Sequence, residues 1–462
     1  MRGGRASGTR GALRRNAVAS GLEVAVAGLG LFVIYRAVVQ ELGLGMLGVW
    51  SLLLATTAFG RVADLGIAAG LARFVARALA EGDRAGAALF GRTALVAVAI
   101  GMGAVAAAAL WPLSRALGLA LGGADLALAR GLLPGALLVF WLGTLRAVVD
   151  ACLLGAHRAD LRAVASVAGM AVQVGVALSL VGTKGLGGLV GAQAAAAVVA
   201  LALGLVLVRR ALAVPRDAAA PWVSGAALRE MLGLGLRLQV GTLATLLVEP
   251  LCKIVLGAVG GTALLGVFEM AQRMVYQVRS VAIMALQSTV PEFARIEAEG
   301  GETLDRLFGR VCRAAAVTGA GLMAVLAVAS PLVSWLWLGR VDPLFVLFTG
   351  VLSVGWAVNI LAAPAFFLGI ARGRVMPGVL GQVLSGVVAP LAVLGIGAAL
   401  GPVAAVLGVV LGKIPGDLVP AVWTRPGGSW RQGTLAQPAV LRGLALVLVA
   451  GGGMAGLAAV RL

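Results

Sequence analysis

The feature that most constrains the fold is a succession of long apolar segments separated by short polar breaks. A helix needs about 20 mainly apolar residues to cross the hydrocarbon core of a bilayer. Only 12% of the residues are charged, about half the share in ordinary soluble domains, which leaves too little polar surface to face water. The pattern predicts an all-α polytopic membrane protein with about 12–13 transmembrane helices. The predicted spans are 16–38, 46–72, 87–110, 124–153, 161–181, 187–208, 229–257, 262–290, 309–331, 342–369, 377–398, 401–423 and 439–460.

The formal net charge of +18 has a topological interpretation. In a soluble protein such an excess would suggest a nucleic acid partner. Here most Arg residues between spans fall in alternate loops, as expected if those loops are cytoplasmic. Arg also far outnumbers Lys, as in GC-rich bacterial coding. We therefore expect a multi-pass protein of the bacterial cytoplasmic (inner) membrane, with its N-terminus in the cytoplasm and no nucleic acid partner.

The sequence contains an internal repeat at a spacing of 218 residues. Leu47–Val49 recurs as Leu265–Val267, and Arg61 aligns with Arg279. Both halves begin on the same side of the membrane, so the repeats are parallel, which is a transporter architecture with the substrate site between the lobes. The predicted organisation is a basic cytoplasmic tail (1–15), an N-lobe of six spans (16–208), a cytoplasmic linker (209–228), a C-lobe of six spans (229–423), and a loop with an additional C-terminal helix (424–462).

Polar residues inside the spans mark the candidate site, because charges in a membrane usually face a bundle interior or a water-filled cavity. Arg61 and Arg279 are related by the repeat and are expected to face each other across a central cleft. Guanidinium groups bind phosphate through paired hydrogen bonds and stay protonated, so this pair suits an anionic headgroup such as a pyrophosphate. The substrate-binding candidates are Arg61, Arg279, Arg273, Tyr276 and Gln272. The candidates for binding a coupling cation or proton are Asp64, Glu23, Glu249 and Glu269.

A structural interpretation of the same charges is local pairing along each helix. The spacings are those of helical neighbours, with the acid first in the two Glu pairs, and each pair could neutralise itself. The candidate pairs are Arg61/Asp64, Glu249/Lys253 and Glu269/Arg273; Lys413/Asp417, on the twelfth span, is expected to be structural.

Other functional classes leave no recognisable pattern in the sequence. The three cysteines and the single histidine have no metal-ligand spacing, and no nucleotide-binding loop of the Walker type is present. We therefore expect no cofactor, no metal and no enzymatic activity. The alternative from another class is an integral-membrane glycosyltransferase or ligase, which would normally need a large outer loop or an acidic metal site.

The stretch Tyr35–Asp83 carries a family resemblance. Its segments Leu47–Trp50, Asp64–Ile67 and Arg73–Arg77 resemble the N-terminal region of polysaccharide-biosynthesis membrane proteins. These are the oligosaccharide flippases, O-antigen flippases included, of the multidrug/oligosaccharidyl-lipid/polysaccharide (MOP) exporter superfamily. The two six-helix lobes fit that fold over roughly 16–423, and the helix at 439–460 departs from its twelve-span plan.

The resemblance implies a function. It suggests that a polyprenyl-pyrophosphate-linked oligosaccharide moves from the inner to the outer leaflet by alternating access, for surface polysaccharide biosynthesis. Membrane lipid and a coupling cation or proton would be the other partners. In such flippases, cavity arginines are thought to hold the pyrophosphate, and Arg61 and Arg279 are the positions that match here. A cation-coupled drug antiporter and a peptidoglycan-precursor flippase of the same superfamily are the alternatives.

Overall fold

The computed structural model describes residues 3–58, 67–213, 222–299, 303–426 and 433–462, and over these residues the regular structure is helical throughout. Side chains are not described for 3–18, Ser20, Ala69, 234–247, 298–299 and 303. The helices are α1 (Gly3–Ala58), α2 (Ile67–Ala80), α3 (Arg84–Leu117), α4 (Gly123–Gly155), α5 (Ala159–Lys184), α6 (Leu186–Leu212), α7 (Gly225–Gln287), α8 (Val290–Glu299), α9 (Thr303–Ala314), α10 (Gly321–Leu338), α11 (Pro343–Ala371), α12 (Met376–Leu400), α13 (Ala405–Trp423), α14 (Pro438–Val447) and α15 (Gly453–Ala459). Short π-helical turns, Ala315–Ala320 and Leu448–Gly452, join α9 to α10 and α14 to α15.

Eleven segments of the described chain are long and apolar enough to cross a membrane. Two of them, Gly21–Ala58 and Val248–Glu297, are 38 and 50 residues long, well beyond the length of one crossing. Each contains a break in the helix, at Gly43 (φ 81°) and Gly261 (φ 75°) respectively. Glycine reaches this left-handed region without the penalty of a Cβ. Each long segment is therefore two helices joined at a glycine and is long enough for two consecutive spans, which confirms the predicted polytopic, all-helical class.

The contacts divide the chain into two compact units. The first comprises Met1–Leu42, Thr56–Gly118 and Gly122–Leu243, and the second comprises Gly43–Ala55, Leu119–Leu121 and Ala244–Leu462. The second unit is therefore discontinuous in sequence, because it takes in the segment Gly43–Ala55 of α1. In the first unit, a core of α2, α3 and α4 side chains is centred on Leu71, Val75 and Ala94.

The repeat is visible within the second unit as a pair of reciprocal contacts. A Cβ placed on Gly48 would lie 1.8 Å from the carbonyl oxygen of Thr262, and one on Gly266 would lie 2.1 Å from that of Leu44. Leu44 and Thr262 are separated by the same 218 residues as Gly48 and Gly266. The helical segments that follow the breaks at Gly43 and Gly261 are therefore related by a local two-fold axis where they cross. Glycine is required at positions 48 and 266 because the two backbones approach closely there.

Close packing of small residues also fixes α12 against α13. Gly408, Gly412 and Gly416 recur at four-residue spacing on α13, and a Cβ on any of them would overlap α12. Small residues at this spacing let membrane helices approach closely. The next residues along α13 include Lys413 and Asp417, and Asp417 reaches α11. The glycine ridge thus sets the position of both charged side chains.

The C-terminal helix pair packs inside the second unit. A Cβ on Gly350 of α11 would lie 2.6 Å from the carbonyl oxygen of Gly451, and one on Gly443 of α14 would contact Ala316 and Ala320. The additional helix predicted at 439–460 is therefore an integral part of this bundle, seated against α11 and the turn that joins α9 to α10.

Candidate functional site

Two buried charged side chains of the second unit, Lys253 and Glu269, belong to a group that we call the Lys253 cluster: Ser51, Glu249, Lys253, Glu269 and Arg273. The Lys253 ammonium lies 2.6 Å from Glu249 Oε1 and 2.7 Å from Glu269 Oε2. Arg273 Nε donates to Glu269 Oε1 at 2.7 Å, and Ser51 Oγ donates to Glu269 Oε2 at 2.7 Å. The Lys253 and Glu269 side chains are 4% and 1% exposed.

The Lys253 cluster is electrically neutral, because two carboxylates face two cations. The local pairs proposed from the sequence, Glu249/Lys253 and Glu269/Arg273, are both present in the structure. Lys253 also joins the two pairs by bridging both carboxylates. A buried charge is tolerated when it is paired and hydrogen-bonded. The Lys253–Glu269 contact therefore links the two halves of α7, and Arg273 pairs with Glu269 within the second half.

A second group, which we call the Trp356 cluster, lies on α7, α11 and α13. It contains Arg279, Trp356, Asn359, Lys413 and Asp417. Arg279 Nε donates to Asn359 Oδ1 at 2.8 Å, and Asn359 Nδ2 donates to Asp417 Oδ1 at 2.7 Å. Lys413 Nζ donates to both Asp417 oxygens at 3.1 Å. The pair Lys413/Asp417 thus forms as expected, and Asn359 connects it to Arg279.

Trp356 is the centre of this group. The Arg279 guanidinium carbon lies 4.7 Å from the ring centroid, and the Lys413 ammonium nitrogen lies 4.5 Å from it, both within the range of a cation–π interaction. Tyr276 meets the indole edge-on at 5.9 Å between centroids. Gln272 Oε1 accepts a long hydrogen bond of 3.4 Å from the indole nitrogen. The predicted substrate-binding residues Gln272, Tyr276 and Arg279 of α7 therefore gather around a tryptophan on α11.

The charge balance distinguishes the two groups. The Trp356 cluster has two cations, Arg279 and Lys413, and one carboxylate, which Lys413 binds directly. Within the described part of the chain, Arg279 forms no ion pair and its two terminal nitrogens have no hydrogen-bond partner. This guanidinium thus offers two terminal NH₂ groups in the fork geometry that suits phosphate.

The first unit has its own charged group, formed by Glu23, Arg146, Asp150 and Arg162. Arg162 Nη2 donates to Glu23 Oε2 at 2.7 Å, and Arg146 Nε lies 3.5 Å from Asp150 Oδ2. Asp150 also interacts electrostatically with Arg162 and Glu23. This group is neutral, with two acids and two bases. Glu23 therefore has a cationic partner that its position on the first span did not reveal.

Two predicted site residues, Arg61 and Asp64, lie outside the described residues. Sequence reasoning missed Trp356 and Asn359, which complete the group around Arg279. The signal that could have found them is the presence of an amide and an indole, three residues apart, in the middle of an otherwise apolar span. Among the described residues, no group of three or more His, Cys, Asp or Glu side chains could hold a metal ion.

Comparison with known families and structures defines the context of this site. The sequence model of the family described as "Polysaccharide biosynthesis protein" matches residues 47–341, more than half of the chain. No curated protein sequence matches the chain significantly.

Several solved structures share the fold. One is the inward-facing conformation of a multidrug resistance MATE family transporter of the MOP superfamily, with a TM-score of 0.68 and 17% identity over 90% of this chain and 94% of that chain. Another is the lipid II flippase MurJ in an inward closed conformation, with a TM-score of 0.66 and 10% identity over 96% and 97%. A third is a mutant of the Vibrio cholerae MATE transporter VcmN, with a TM-score of 0.61 and 15% identity over 96% and 100%. The two-repeat MOP-type fold implied by the sequence is confirmed.

Proposed function

The chain belongs to the polysaccharide biosynthesis protein family, and we propose that it is a flippase for a polyprenyl-pyrophosphate-linked oligosaccharide. In this proposal the lipid-linked sugar passes from the inner to the outer leaflet of the bacterial cytoplasmic membrane by alternating access. The family and the MOP-type fold support a transporter of this general kind. The substrate class is our inference from the site.

The observation that carries the proposal is the charge balance around Arg279. A charge within a membrane span is costly, so it is retained where it has a partner or a function. Among the residues that the structure describes, the neighbouring charges pair among themselves, whereas Arg279 donates to a neutral amide and lies against aromatic faces. An anionic ligand would supply the missing partner. A pyrophosphate fits, since its oxygens can accept hydrogen bonds from both terminal NH₂ groups of the guanidinium.

The other predicted residues take different roles in this proposal. Tyr276 is 40% exposed and flanks the guanidinium, so it would contact the substrate beside the pyrophosphate. Gln272 is buried against Trp356 and would position that ring. Arg61, the repeat equivalent of Arg279, would bind the phosphate in the other half of the transport cycle.

Coupling to a cation or proton would fall to a carboxylate that keeps an accessible oxygen. Glu269 is buried against Lys253, Arg273 and Ser51, and Glu23 is bound to Arg162. Glu249 has Lys253 as its partner, yet its side chain is 45% exposed. We therefore place Glu249 ahead of the other described carboxylates as the coupling group, with Asp64 as a further candidate.

The test is a flipping assay in proteoliposomes. The substrate is a polyprenyl-pyrophosphate oligosaccharide with a fluorescent label on the sugar, and a membrane-impermeant quencher reports the leaflet. Losing a hydrogen bond to a charged group lowers binding by roughly 10- to 100-fold, so we expect Arg279→Ala to reduce transport by that factor. Arg279→Lys should recover only part of the rate, because a point charge lacks the guanidinium fork.

Arg115→Ala is the matched control. Arg115 also lies 4.7 Å from a tryptophan ring, that of Trp111, but on an exposed helix end. Its loss should leave transport unchanged. Equal rates for Arg279→Ala and the native chain would refute the phosphate contact. Transport of a drug cation but not of the lipid-linked sugar would instead establish the antiporter alternative, and preference for a peptidoglycan precursor would establish the related flippase.

A further inference from the structure

A separate pocket opens where α11 and α13 end and α12 begins. Its volume is about 980 Å³, and it is lined by Glu297, residues 372–377 and residues 422–426. None of these residues belongs to the Lys253 or Trp356 cluster. By the predicted topology, this end of the bundle faces the cytoplasm. We call it the Arg374 pocket.

The pocket is strongly basic, because three arginines face one glutamate. Arg372 forms a fixed wall: its Nε donates to Glu297 Oε1 at 2.9 Å and its Nη2 donates to the Pro426 carbonyl at 2.7 Å. Arg425 Nε donates to the Val422 carbonyl at 2.9 Å, at the end of α13. These contacts hold two guanidinium groups in place and satisfy carbonyl groups that would otherwise repel an anion.

Arg374 is the arginine that is available for a ligand. Its side chain is exposed and has no hydrogen-bond or ion-pair partner among the described residues. It lies two residues before the start of α12, whose N-cap, Val375, provides no side-chain hydrogen bond. The N-terminus of a helix carries partial positive charge, and here it adds to that of the arginines.

The rim of the same pocket is apolar. Val375, Met376 and Trp423 are 56%, 61% and 62% exposed, and they lie at the ends of the membrane spans Met376–Leu400 and Ala405–Trp423. Tryptophan at the end of a span is typical of the membrane–water interface. The pocket therefore places cationic groups at headgroup level and apolar side chains beside the acyl chains.

We propose that the Arg374 pocket binds the headgroup phosphate of an anionic phospholipid from the surrounding leaflet. Arg374 contacts the phosphate, Arg372 and Arg425 shape the basic wall, and the apolar rim packs against the acyl chains. Basic pockets between transmembrane helices on the cytoplasmic side suit anionic headgroups in this way. The proposal is independent of the flippase substrate, since it rests on different residues.

The test is lipid binding by the full-length protein, purified in detergent and measured by native mass spectrometry. The probes are phosphatidylglycerol and phosphatidylcholine of identical acyl chains. One interfacial arginine contributes about a fivefold change in affinity, so we expect Arg374→Gln to weaken phosphatidylglycerol binding about fivefold. Arg442→Gln is the matched control, because Arg442 is an exposed arginine on α14 outside the pocket. It should leave binding unchanged.

Four outcomes would overturn the proposal. Equal phosphatidylglycerol binding by Arg374→Gln and Arg442→Gln would remove the pocket from lipid binding. If the native protein binds phosphatidylcholine as strongly as phosphatidylglycerol, the pocket does not recognise headgroup charge. Displacement of the lipid by an equal concentration of inorganic phosphate would show that the pocket takes the free anion. A loss of flipping in Arg374→Gln vesicles that contain only phosphatidylcholine would assign the pocket to the transport substrate. The flippase proposal is tested separately, by the transport rate of Arg279→Ala.

Discussion

Removing Lys253 should unbalance the charges of the Lys253 cluster. Lys253→Met keeps the length and apolar stem of the side chain but removes the ammonium group that bridges Glu249 and Glu269. The cluster then changes from neutral to a net charge of −1. Breaking a buried pair from one side costs about 3–5 kcal/mol, because it leaves an uncompensated charge. Arg273 and Ser51 still hold Glu269, so we expect about 3 kcal/mol, the lower end of that range.

Glu249→Gln is the matched comparison, since it removes the opposite end of the same bridge. The Glu249 side chain is 45% exposed, against 1% for Glu269. Glu249→Gln leaves the Lys253–Glu269 contact in place and keeps an amide oxygen that can accept from Lys253, so we expect it to cost less than Lys253→Met. Lys253→Met combined with Glu269→Gln restores neutrality, so the double variant should be more stable than the sum of its single variants by about 0.5–3 kcal/mol.

The assay is equilibrium unfolding in mixed micelles of increasing dodecyl sulfate content, followed by helical circular dichroism. The transition midpoint and its slope give the change in free energy of unfolding for each variant. If Lys253→Met unfolds at the same dodecyl sulfate content as Glu249→Gln, the ion pairs of the Lys253 cluster do not stabilise the fold in the way proposed. Additive single and double variants would likewise show that Lys253 and Glu269 do not interact in the folded protein.

Two further predictions concern packing and the first unit. Gly48→Ala and Gly266→Ala should each lower the unfolding free energy by about 1–3 kcal/mol, because the added Cβ overlaps a backbone carbonyl. Gly45→Ala is the control, since its new Cβ would lie 3.6 Å from its nearest neighbour. It should be neutral or slightly stabilising in the same assay. Glu23→Gln should lower the unfolding free energy, and combining it with Arg162→Gln should recover it, as expected for an ion pair. If Glu23→Gln instead abolishes flipping and leaves stability unchanged, Glu23 belongs to the coupling site.

The fold was predictable because it depends mainly on the length of the apolar segments and on the internal repeat, and both can be seen in the sequence. Apolar length sets the spans, and the sequence repeat around Gly48 and Gly266 marks the two equivalent helix crossings. Helical neighbours such as Glu249/Lys253 and Lys413/Asp417 were also predictable, since their spacing alone brings them together. These are local or periodic properties that need no knowledge of tertiary contacts.

Contacts between distant helices were not predictable in the same way. Asn359 joins Arg279 to Asp417 across separations of 80 and 58 residues, and no periodicity relates these three positions. Arg162 lies close to the end of a span, where a topological role explains it without a partner, yet it binds Glu23. A charged residue at a span end therefore needs the tertiary structure before its role can be assigned.

The repeat also explains why the two halves of the sequence carry different residues at the equivalent positions 51 and 269. Ser51 and Glu269 are equivalent by the 218-residue spacing, and they are in direct contact. Residues near a two-fold axis meet their own equivalents, so glycine at both Gly48 and Gly266 is compatible with close packing. A glutamate at both 51 and 269 would place two carboxylates at hydrogen-bond distance, where like charges repel strongly. When one half carries the acid, the equivalent position of the other half therefore disfavours a second carboxylate, and here the Ser51 hydroxyl supplies a donor instead.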